Sequence, residues 1–223
     1  FTSAGNPTTW TYNLKEAGIT VVHFISSYQF AIKAAESGVD AIVAEGFEAG
    51  GHTGREETTT LALIPQIRES VDLPLIAAGG ISSGKSMAAV IALGAEGVQI
   101  GTRFALTKES SASDAFKQRC LTLKEGDTVT TLKKLAPVRL IKNNFYHQIK
   151  ELEENGASVE ELRELLGRGR SKRGIFEGDL VEGELEIGQV ASLVKEIIPA
   201  GQTVNEIVDE YNATIKLLSE KKM

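Results

Sequence analysis

Residues 39–54 read Val-Asp-Ala-Ile-Val-Ala-Glu-Gly-Phe-Glu-Ala-Gly-Gly-His-Thr-Gly, and this stretch decides the fold. Its apolar run at residues 41–44 is short and contains β-branched side chains, which is typical of a strand buried on both faces. The run leads into a loop that holds four glycines, two glutamates and His52. Glycine lets a loop backbone adopt positive φ and approach a ligand closely. The stretch therefore predicts a ligand site at the carboxyl end of a buried strand.

The same pattern recurs on both sides of this stretch. Predicted helices end at Gly18, Gly38 and Gly94, and each is followed within a few residues by a short apolar strand. The alternation of helix, glycine and buried strand is typical of right-handed βα units on a parallel sheet. Their carboxyl ends meet at one edge, where α/β proteins bind ligands. The predicted strands cover residues 1–3, 20–25, 41–44, 75–78 and 97–100.

After residue 109 the pattern changes, and no further buried strand of this kind is predicted. We expect residues 110–223 to be mostly helical, apart from an extended stretch at 126–131. The sequence therefore predicts two consecutive regions, a partial parallel barrel at 1–109 and a helical region at 110–223 that packs on or over it. The predicted helices of the second region cover residues 114–123, 139–154, 158–166, 188–198 and 203–221.

Composition excludes several classes of protein. The net charge of −6 and a pI near 5.3 argue against a nucleic-acid binder, which is usually basic. The one cysteine, Cys120, cannot form an intramolecular disulfide, fits a reducing compartment and is expected to be a small buried residue in a helix. No apolar run reaches about 18 residues and no basic-then-apolar leader opens the chain, so we expect a cytoplasmic protein that does not bind membranes.

Two further glycine turns predict an anion site. Gly79-Gly80 and Gly101-Thr102 follow consecutive predicted strands. In α/β barrels the loops after two successive strands, together with a helix N-terminus, commonly bind phosphate, because unpaired backbone N–H groups carry partial positive charge. The alternative is a pair of turns that bind no ligand.

The histidines differ in their surroundings. His52 could act as a general acid or base, since imidazole titrates near neutrality, or be a surface loop residue. His23 lies within an apolar strand and is expected to be buried and hydrogen-bonded, whereas His147 is expected on a helix surface. No two histidines have metal-ligand spacing, so no metal site is predicted.

Other polar groups leave alternatives open. Glu45 and Glu48 could hydrogen-bond a ligand or simply end a strand. The basic run at residues 168–173 could receive an acidic partner or a nucleotide phosphate, or be a solvated loop. The polar stretch at 183–189 could be a second ligand-facing loop or a helix cap.

Three motifs make the sequence recognisable. Residues 45–54, residues 76–81 and residues 99–104 resemble the signature stretches of the FMN-dependent TIM-barrel enzymes that comprise nitronate monooxygenases and type II enoyl-acyl-carrier-protein reductases. The turn at residues 3–7 and the helix start at 188–189 also match. The resemblance implies a (β/α)8 barrel fold and FMN as the cofactor.

The resemblance also implies roles for individual residues. His52 matches the catalytic histidine of the family. Residues implied to bind FMN are Glu45, Gly50, Gly51, Gly79, Gly80, Gln99, Gly101 and Thr102, with the phosphate held by Gly79-Gly80 and Gly101-Thr102.

Two reactions are implied, and a third possibility is binding alone. Glu45 before Gly46 and the long C-terminal region favour the reductase branch, which reduces 2-enoyl thioesters, including those carried by acyl carrier protein, with NADH or NADPH. The alternative is a nitronate monooxygenase, which oxidises alkyl nitronates with oxygen. Because only about the last five strands of the barrel are predicted, we expect the first strands to lie before Phe1. The further alternative is therefore an inactive, truncated flavin-binding chain, and we expect a homo-oligomer that covers the exposed apolar edges.

Overall fold

The computed structural model describes residues 1–3 and 5–221, which form two compact units. The first unit takes Phe1–Glu48, Glu56–Ile100 and the chain from Glu206 onward, and the second takes Ala49–Arg55 and Gly101–Asn205. The units therefore interleave along the chain, whereas the sequence predicted two consecutive regions, 1–109 and 110–223. Ala4, in the predicted turn at residues 3–7, lies outside the described residues.

The strands and helices of both units are numbered in chain order. The strands are β1 (Val22–Ile25), β2 (Ala41–Glu45), β3 (Gly51–His52), β4 (Leu75–Ala78), β5 (Gly97–Gln99), β6 (Thr128–Thr131) and β7 (Val138–Ile141). The helices are α1 (Thr8–Glu16), α2 (Tyr28–Glu36), α3 (Thr60–Arg68), α4 (Gly84–Ala92), α5 (Thr102–Ala105), α6 (Asp114–Leu121), α7 (Asn144–Glu154), α8 (Val159–Leu166) and α9 (Ala200–Glu220).

The first unit is a parallel sheet whose strands alternate with helices. The strand order is β1-β2-β4-β5, and every pair is parallel. Thr2 forms a further parallel bridge to His23 on the free side of β1, at the position of the first predicted strand. The predicted α/β architecture with repeated βα units is confirmed.

A glycine follows the C-terminal end of α1, α2 and α4. Of the strands that come next, β2 is almost fully buried, β1 alternates and β5 is partly exposed. Gly18, Gly38 and Gly94 have φ values of +73°, +78° and +107°, a region that favours glycine and stops a helix. Val43 and Ala44 of β2 are fully buried, as expected for an inner strand. The core between this sheet and its helices includes Ile42, Ile64, Ile67, Leu75 and Ala77.

The second unit contains an antiparallel sheet in the order β3-β7-β6. All four residues of β7 are buried, and Leu140 packs with Phe145, Ile149 and Leu162 in one core. A second core surrounds Phe116 and Cys120 of α6. Cys120 is fully buried in a helix, as the sequence predicted.

Three predictions for residues 110–223 are wrong in part. The region is not mainly helical throughout, because β6 and β7 form a hairpin within it; the predicted extended stretch at 126–131 is confirmed by β6. The predicted helix at 139–154 begins only at Asn144, because residues 138–141 pair with strands on both edges and Asn143 caps the helix. In the predicted helix at 188–198, only a 3-10 turn forms at Gln189–Leu193.

Pro65 lies inside α3. The proline ring removes the N–H that would bond the carbonyl of Leu61.

None of the helices in the described residues combines the length and the apolar character needed to cross a membrane.

Candidate active site

The last residues of three neighbouring strands form a row at the carboxyl edge of the first unit. Glu45 of β2 is in register with Ala78 of β4, and Ala78 is in register with Gln99 of β5. In-register neighbours on parallel strands point to the same face, and strands lie about 4.8 Å apart, so Glu45 and Gln99 flank the short Ala78 side chain across about 10 Å. The row therefore has a side chain with hydrogen-bonding groups on each side of Ala78.

Glu45 has an unusual environment for a carboxyl group. Its side chain is half-buried at the end of β2. Burial raises the pKa of Glu45 to about 7, because the carboxylate loses hydration. This residue therefore can either donate or accept a hydrogen bond near neutral pH.

Neighbouring atoms of the same unit occupy the space where side chains of Gly46, Gly79 and Gly80 would lie. A Cβ at Gly46 would lie 2.1 Å from Oγ1 of Thr60, and one at Gly79 would lie 2.6 Å from the Gly46 carbonyl oxygen. A Cβ at Gly80 would lie 3.2 Å from Cβ of Glu48. These three positions are closely packed, so any ligand reaches this corner through backbone groups alone.

Glu48 connects this corner to the start of α3 through hydrogen bonds with Thr60. The Thr60 N–H donates to its two carboxylate oxygens at 3.2 and 3.0 Å, and the Thr60 hydroxyl lies 3.0 Å from one of them. The carboxylate thus satisfies the first N–H of α3, where the helix dipole also favours negative charge. Of the two interpretations of Glu48, the structure supports the one without a ligand.

Unpaired backbone donors remain on the predicted phosphate-binding residues. Within the described part of the chain, the N–H groups of Gly79 and Gly80 in the first unit donate no hydrogen bond. In the second unit the same holds for the N–H groups of Gly101 and Thr102. Gly101 also faces open space, since nothing lies within 4 Å of the position of a Cβ. In each unit, unpaired backbone N–H groups of this kind are donors that suit an anion.

Two details modify the predicted anion site. The Gly84 N–H at the start of α4 already donates to Oε2 of Glu210 at 2.8 Å, so this helix start is occupied by a carboxylate of the chain itself. The Thr102 hydroxyl accepts the Gly188 N–H at 3.0 Å, which leaves its own O–H free to donate.

His52 lies on a short strand, β3, where the sequence pattern predicted a loop. With Gly51 it forms β3, in which Gly51 pairs with Arg139 and His52 pairs with Val138 of β7. The side chain of His52 is exposed. The site histidine is thus fixed by backbone pairing while its ring remains accessible to a substrate.

The stretch at residues 183–189 contacts the histidine segment. A Cβ at Gly50 would lie 2.3 Å from the carbonyl carbon of Ile187, and one at Gly51 would lie 2.8 Å from Oε2 of Glu186. Burial raises the pKa of Glu186, and the charge of His52 opposes that rise. Glu186 is not among the predicted site residues, and its only signal in the sequence is the polar run before Gly188.

The other histidines lie elsewhere and behave as predicted. His23 is buried, and its Nδ1 lies 2.7 Å from Oγ1 of Thr2 in a hydrogen bond. Burial lowers the pKa of His23. His147 is exposed on α7.

The basic run at residues 168–173 is largely neutralised within the second unit. Arg170 donates to the Glu182 carbonyl at 2.7 Å and lies 4.4 Å from the centre of the Phe145 ring. Arg173 pairs with Asp179 at 2.5 Å, and Lys172 pairs with Glu177 at 3.1 Å. This pairing supports a structural role and weakens the alternative of a docking site for an acidic partner.

A parallel βα sheet with glycine turns at its carboxyl edge is the architecture of barrel-type α/β enzymes, and comparison with known proteins agrees. The nitronate monooxygenase family model matches residues 1–210. A probable nitronate monooxygenase of Staphylococcus aureus (strain MSSA476) is 37% identical over 210 residues, which cover 89% of this chain and 58% of that protein. The chain belongs to the nitronate monooxygenase family.

Two solved structures support this membership and the barrel-type fold. FabK from Thermotoga maritima is 41% identical with a TM-score of 0.91, and the match covers 97% of this chain and 68% of that one. Nitroalkane oxidase from Streptomyces ansochromogenes is 30% identical with a TM-score of 0.77, covering 98% and 64%. The resemblance carried by the three motifs is confirmed. The chain spans 42% to 58% of the length of the first curated relatives that it matches.

Proposed function

We propose that this protein is an FMN-dependent oxidoreductase that reduces 2-enoyl thioesters at the expense of NADH or NADPH. The observation that carries the reductase proposal is its similarity to FabK, an enoyl-acyl-carrier-protein reductase of type II, over 97% of the chain. The half-buried Glu45 and the polar stretch at residues 183–189 are consistent with that branch.

The FMN proposal is supported by the chemistry of the described groups in each unit. In the first unit, the N–H groups of Gly79 and Gly80 are proposed donors to the phosphate, and Glu45 and Gln99 are proposed partners for the polar edge of the ring. In the second unit, Gly101 and Thr102 are proposed phosphate donors. Gly50 and Gly51 would contact FMN only through their backbone, because protein fills their side-chain positions. Bound FMN would supply the two-electron redox chemistry that no side chain provides.

His52 is the proposed proton carrier. Reduction of a 2-enoyl thioester adds a hydride at the β-carbon and a proton at the α-carbon, while the nicotinamide loses the hydride. An exposed imidazole on a fixed backbone can deliver that proton without moving the chain. Only the π bond between the α- and β-carbons is broken in the thioester.

Nitronate oxidation is the second candidate, because the family model and the curated Staphylococcus relative carry that name. With a neutral nitroalkane as the starting compound, His52 would take the proton from the carbon beside the nitro group and so form the nitronate, and oxygen would be consumed as the nitronate is oxidised. Flavin binding without turnover is the third possibility.

One set of assays separates the three. The purified protein is expected to bind FMN and to oxidise NADH or NADPH with a short 2-enoyl thioester under nitrogen. Oxygen uptake with propyl nitronate, without turnover of the thioester, would reject the reductase proposal in favour of the second candidate. Bound FMN without either reaction would leave binding alone.

Replacement of His52 tests its role within whichever reaction is found. His52→Ala is expected to lower kcat by roughly 10²–10⁴-fold, the range for loss of a general acid or base. FMN affinity should change far less, and His147→Ala, on the exposed face of α7, should leave kcat unchanged. Full activity of His52→Ala would remove this residue from the mechanism.

A further inference from the structure

The pairing between β3 and β7 continues beyond the two residues of β3. The Thr53 N–H donates to the Pro137 carbonyl at 2.9 Å. Further along the chain, the Arg55 side chain reaches the turn that precedes Pro137. Residues 51–55 therefore run antiparallel to residues 133–139, and all of these groups belong to the second unit.

The Arg55 guanidinium bonds two carbonyls of that turn. Its Nη1 donates to the Lys133 carbonyl and its Nη2 to the Leu135 carbonyl, each at 2.7 Å. The Leu135 N–H closes the turn on the Leu132 carbonyl at 2.9 Å, and Leu132 is buried with a φ of +56°. A positive φ is uncommon for leucine, so the turn depends on its contacts. A planar guanidinium suits two carbonyls at once, whereas a lysine ammonium is a point charge without that fork.

The strand that carries His52 is held differently on its two sides. Before it, a Cβ at Gly50 would lie 2.3 Å from the carbonyl carbon of Ile187, so the backbone is packed against protein. After it, Gly54 leaves the backbone free to rotate, and the fork of Arg55 follows at once. The ring of His52 is exposed and adds little packing of its own. The two bonds of Arg55 therefore anchor the C-terminal side of the strand.

We propose that Arg55 is a positioning residue that holds the strand of His52 in place during turnover. The inference rests on the proposed function, in which His52 carries the proton. Arg55 would act through the backbone alone, because its two bonds join the end of this segment to a turn of the same unit. An imidazole on a strand that moves reaches the productive geometry less often, and this lowers the rate of proton transfer.

The first test needs neither flavin nor turnover. Amide hydrogen exchange at Thr53 is followed by NMR in the wild-type protein and in Arg55→Gln, with the Ile141 amide, which donates to the Leu185 carbonyl, as the reference for the second unit. Arg55→Gln is expected to speed exchange at Thr53 roughly tenfold and to leave Ile141 unchanged. Arg55→Lys should give an intermediate rate, since it keeps the charge without the fork.

The matched control is Arg163→Gln on α8. The Arg163 side chain is exposed and makes no hydrogen bond or ion pair among the described residues, so exchange at Thr53 should match wild type. Unchanged exchange at Thr53 in Arg55→Gln would overturn the proposal. An equal rise at Thr53 and Ile141 would also overturn it, because the substitution would then loosen the whole unit and not the strand.

The second test measures turnover, with whichever substrate the assays identify. Arg55→Gln is expected to lower kcat roughly tenfold with little change in KM, and Arg55→Lys should recover part of the rate. Arg163→Gln should turn over like wild type. A raised KM with unchanged kcat in Arg55→Gln would mean that Arg55 binds the substrate, and unchanged kinetics would mean that the strand is held without it. Either result overturns the positioning role.

The two tests separate this inference from the proposed function. If exchange at Thr53 responds to Arg55 but the protein turns over neither substrate, the anchor of the strand stands and the proposed function falls. If turnover depends on His52 while Arg55→Gln changes neither exchange nor kcat, the proposed function stands and this inference falls.

Discussion

The two units each pack a glutamate against the glycines of a neighbouring loop, and they use it differently. In the first unit, the two oxygens of Glu48 accept the Thr60 N–H at the start of α3. In the second unit, Oε2 of Glu186 lies 2.8 Å from the position of a Gly51 Cβ, and the carboxylate accepts no hydrogen bond among the described residues. A carboxylate that accepts the first N–H of a helix stabilises the fold, whereas a half-buried carboxylate without such a donor opposes folding when it is ionised.

The glycines show the same contrast. Gly46 and Gly79 are required because other backbone lies where their side chains would be, while Gly101 faces open space. A glycine-rich motif thus contains positions that serve packing and positions that can admit a ligand. The sequence alone does not separate them.

The largest expected effect is on the closely packed corner of the first unit. A Cβ at Gly46 would lie 2.1 Å from Oγ1 and 2.4 Å from the backbone nitrogen of Thr60, so Gly46→Ala must displace α3. We expect it to lower the free energy of unfolding by about 2–4 kcal/mol in urea titrations followed by circular dichroism. Gly101→Ala, the matched control, should stay within about 0.5 kcal/mol of wild type. Equal midpoints for the two variants would contradict the distinction between packed and open glycines.

The two carboxylates should then respond with different signs. Glu48→Gln is expected to destabilise the protein by about 1–2 kcal/mol, because the start of α3 loses charge-assisted hydrogen bonds. Glu186→Gln should cost nothing and should be slightly stabilising at pH 8, because burial raises the pKa of Glu186 and its ionised form opposes folding. Both are measured by urea unfolding at one pH. A comparable loss of stability in Glu186→Gln would make Glu186 a brace like Glu48.

The pH dependence of stability sharpens the comparison. Burial and the neighbouring Glu186 raise the pKa of Glu184 from 4.5 to about 7. A carboxyl whose pKa is higher in the folded state stabilises folding below about pH 4.5 and loses that contribution as the pH rises through about 7. Glu184→Gln should therefore flatten this loss, with a gain of about 1–2 kcal/mol at pH 8 and none at pH 4.

Glu45 of the first unit supplies the control for that prediction. Burial alone raises the pKa of Glu45 to about 7, without a carboxylate neighbour. Glu186→Gln should therefore reduce the pH-dependent loss due to Glu184 and leave that due to Glu45 intact. If the stability of Glu184→Gln and of the wild-type protein depends on pH in the same way from pH 4 to 8, the pKa of Glu184 is not raised by burial and the prediction is wrong.

The smallest expected effect is an absence of reaction at Cys120. The thiol is fully buried in α6, and burial raises its pKa to about 12, so hardly any thiolate is present at pH 8. An aromatic disulfide reagent should label the native protein only as the second unit opens, and label the urea-unfolded chain at once. Rapid labelling of the native protein would contradict the close packing of the core around Cys120.

Local signals in the sequence were sufficient for the first unit. Glycines 18, 38 and 94 stop helices through positive φ, and short apolar runs follow them, so strand positions could be read without tertiary information. The register that aligns Glu45 with Ala78 and Gln99 then follows from parallel pairing of those strands.

The second unit could not be predicted in this way. Residues 139–141 have no local pattern that separates a strand from the helix start, and their pairing partners lie at residues 51–52 and 128–131. The predicted helix at 188–198 likewise fails beyond Leu193. In both segments, backbone pairing with residues distant in sequence replaces the predicted helix.

The sequence by itself determined the βα repeat, the residues of the candidate site and the family, because glycine conformation, apolar runs and motif order are properties of neighbouring residues. Tertiary structure alone decided that β3 pairs with β7, that Glu48 caps α3, and that Glu186 stands beside the segment of His52. The physical reason is that a carboxylate finds its partner through packing and backbone pairing between distant segments, and no local pattern records which distant groups will meet.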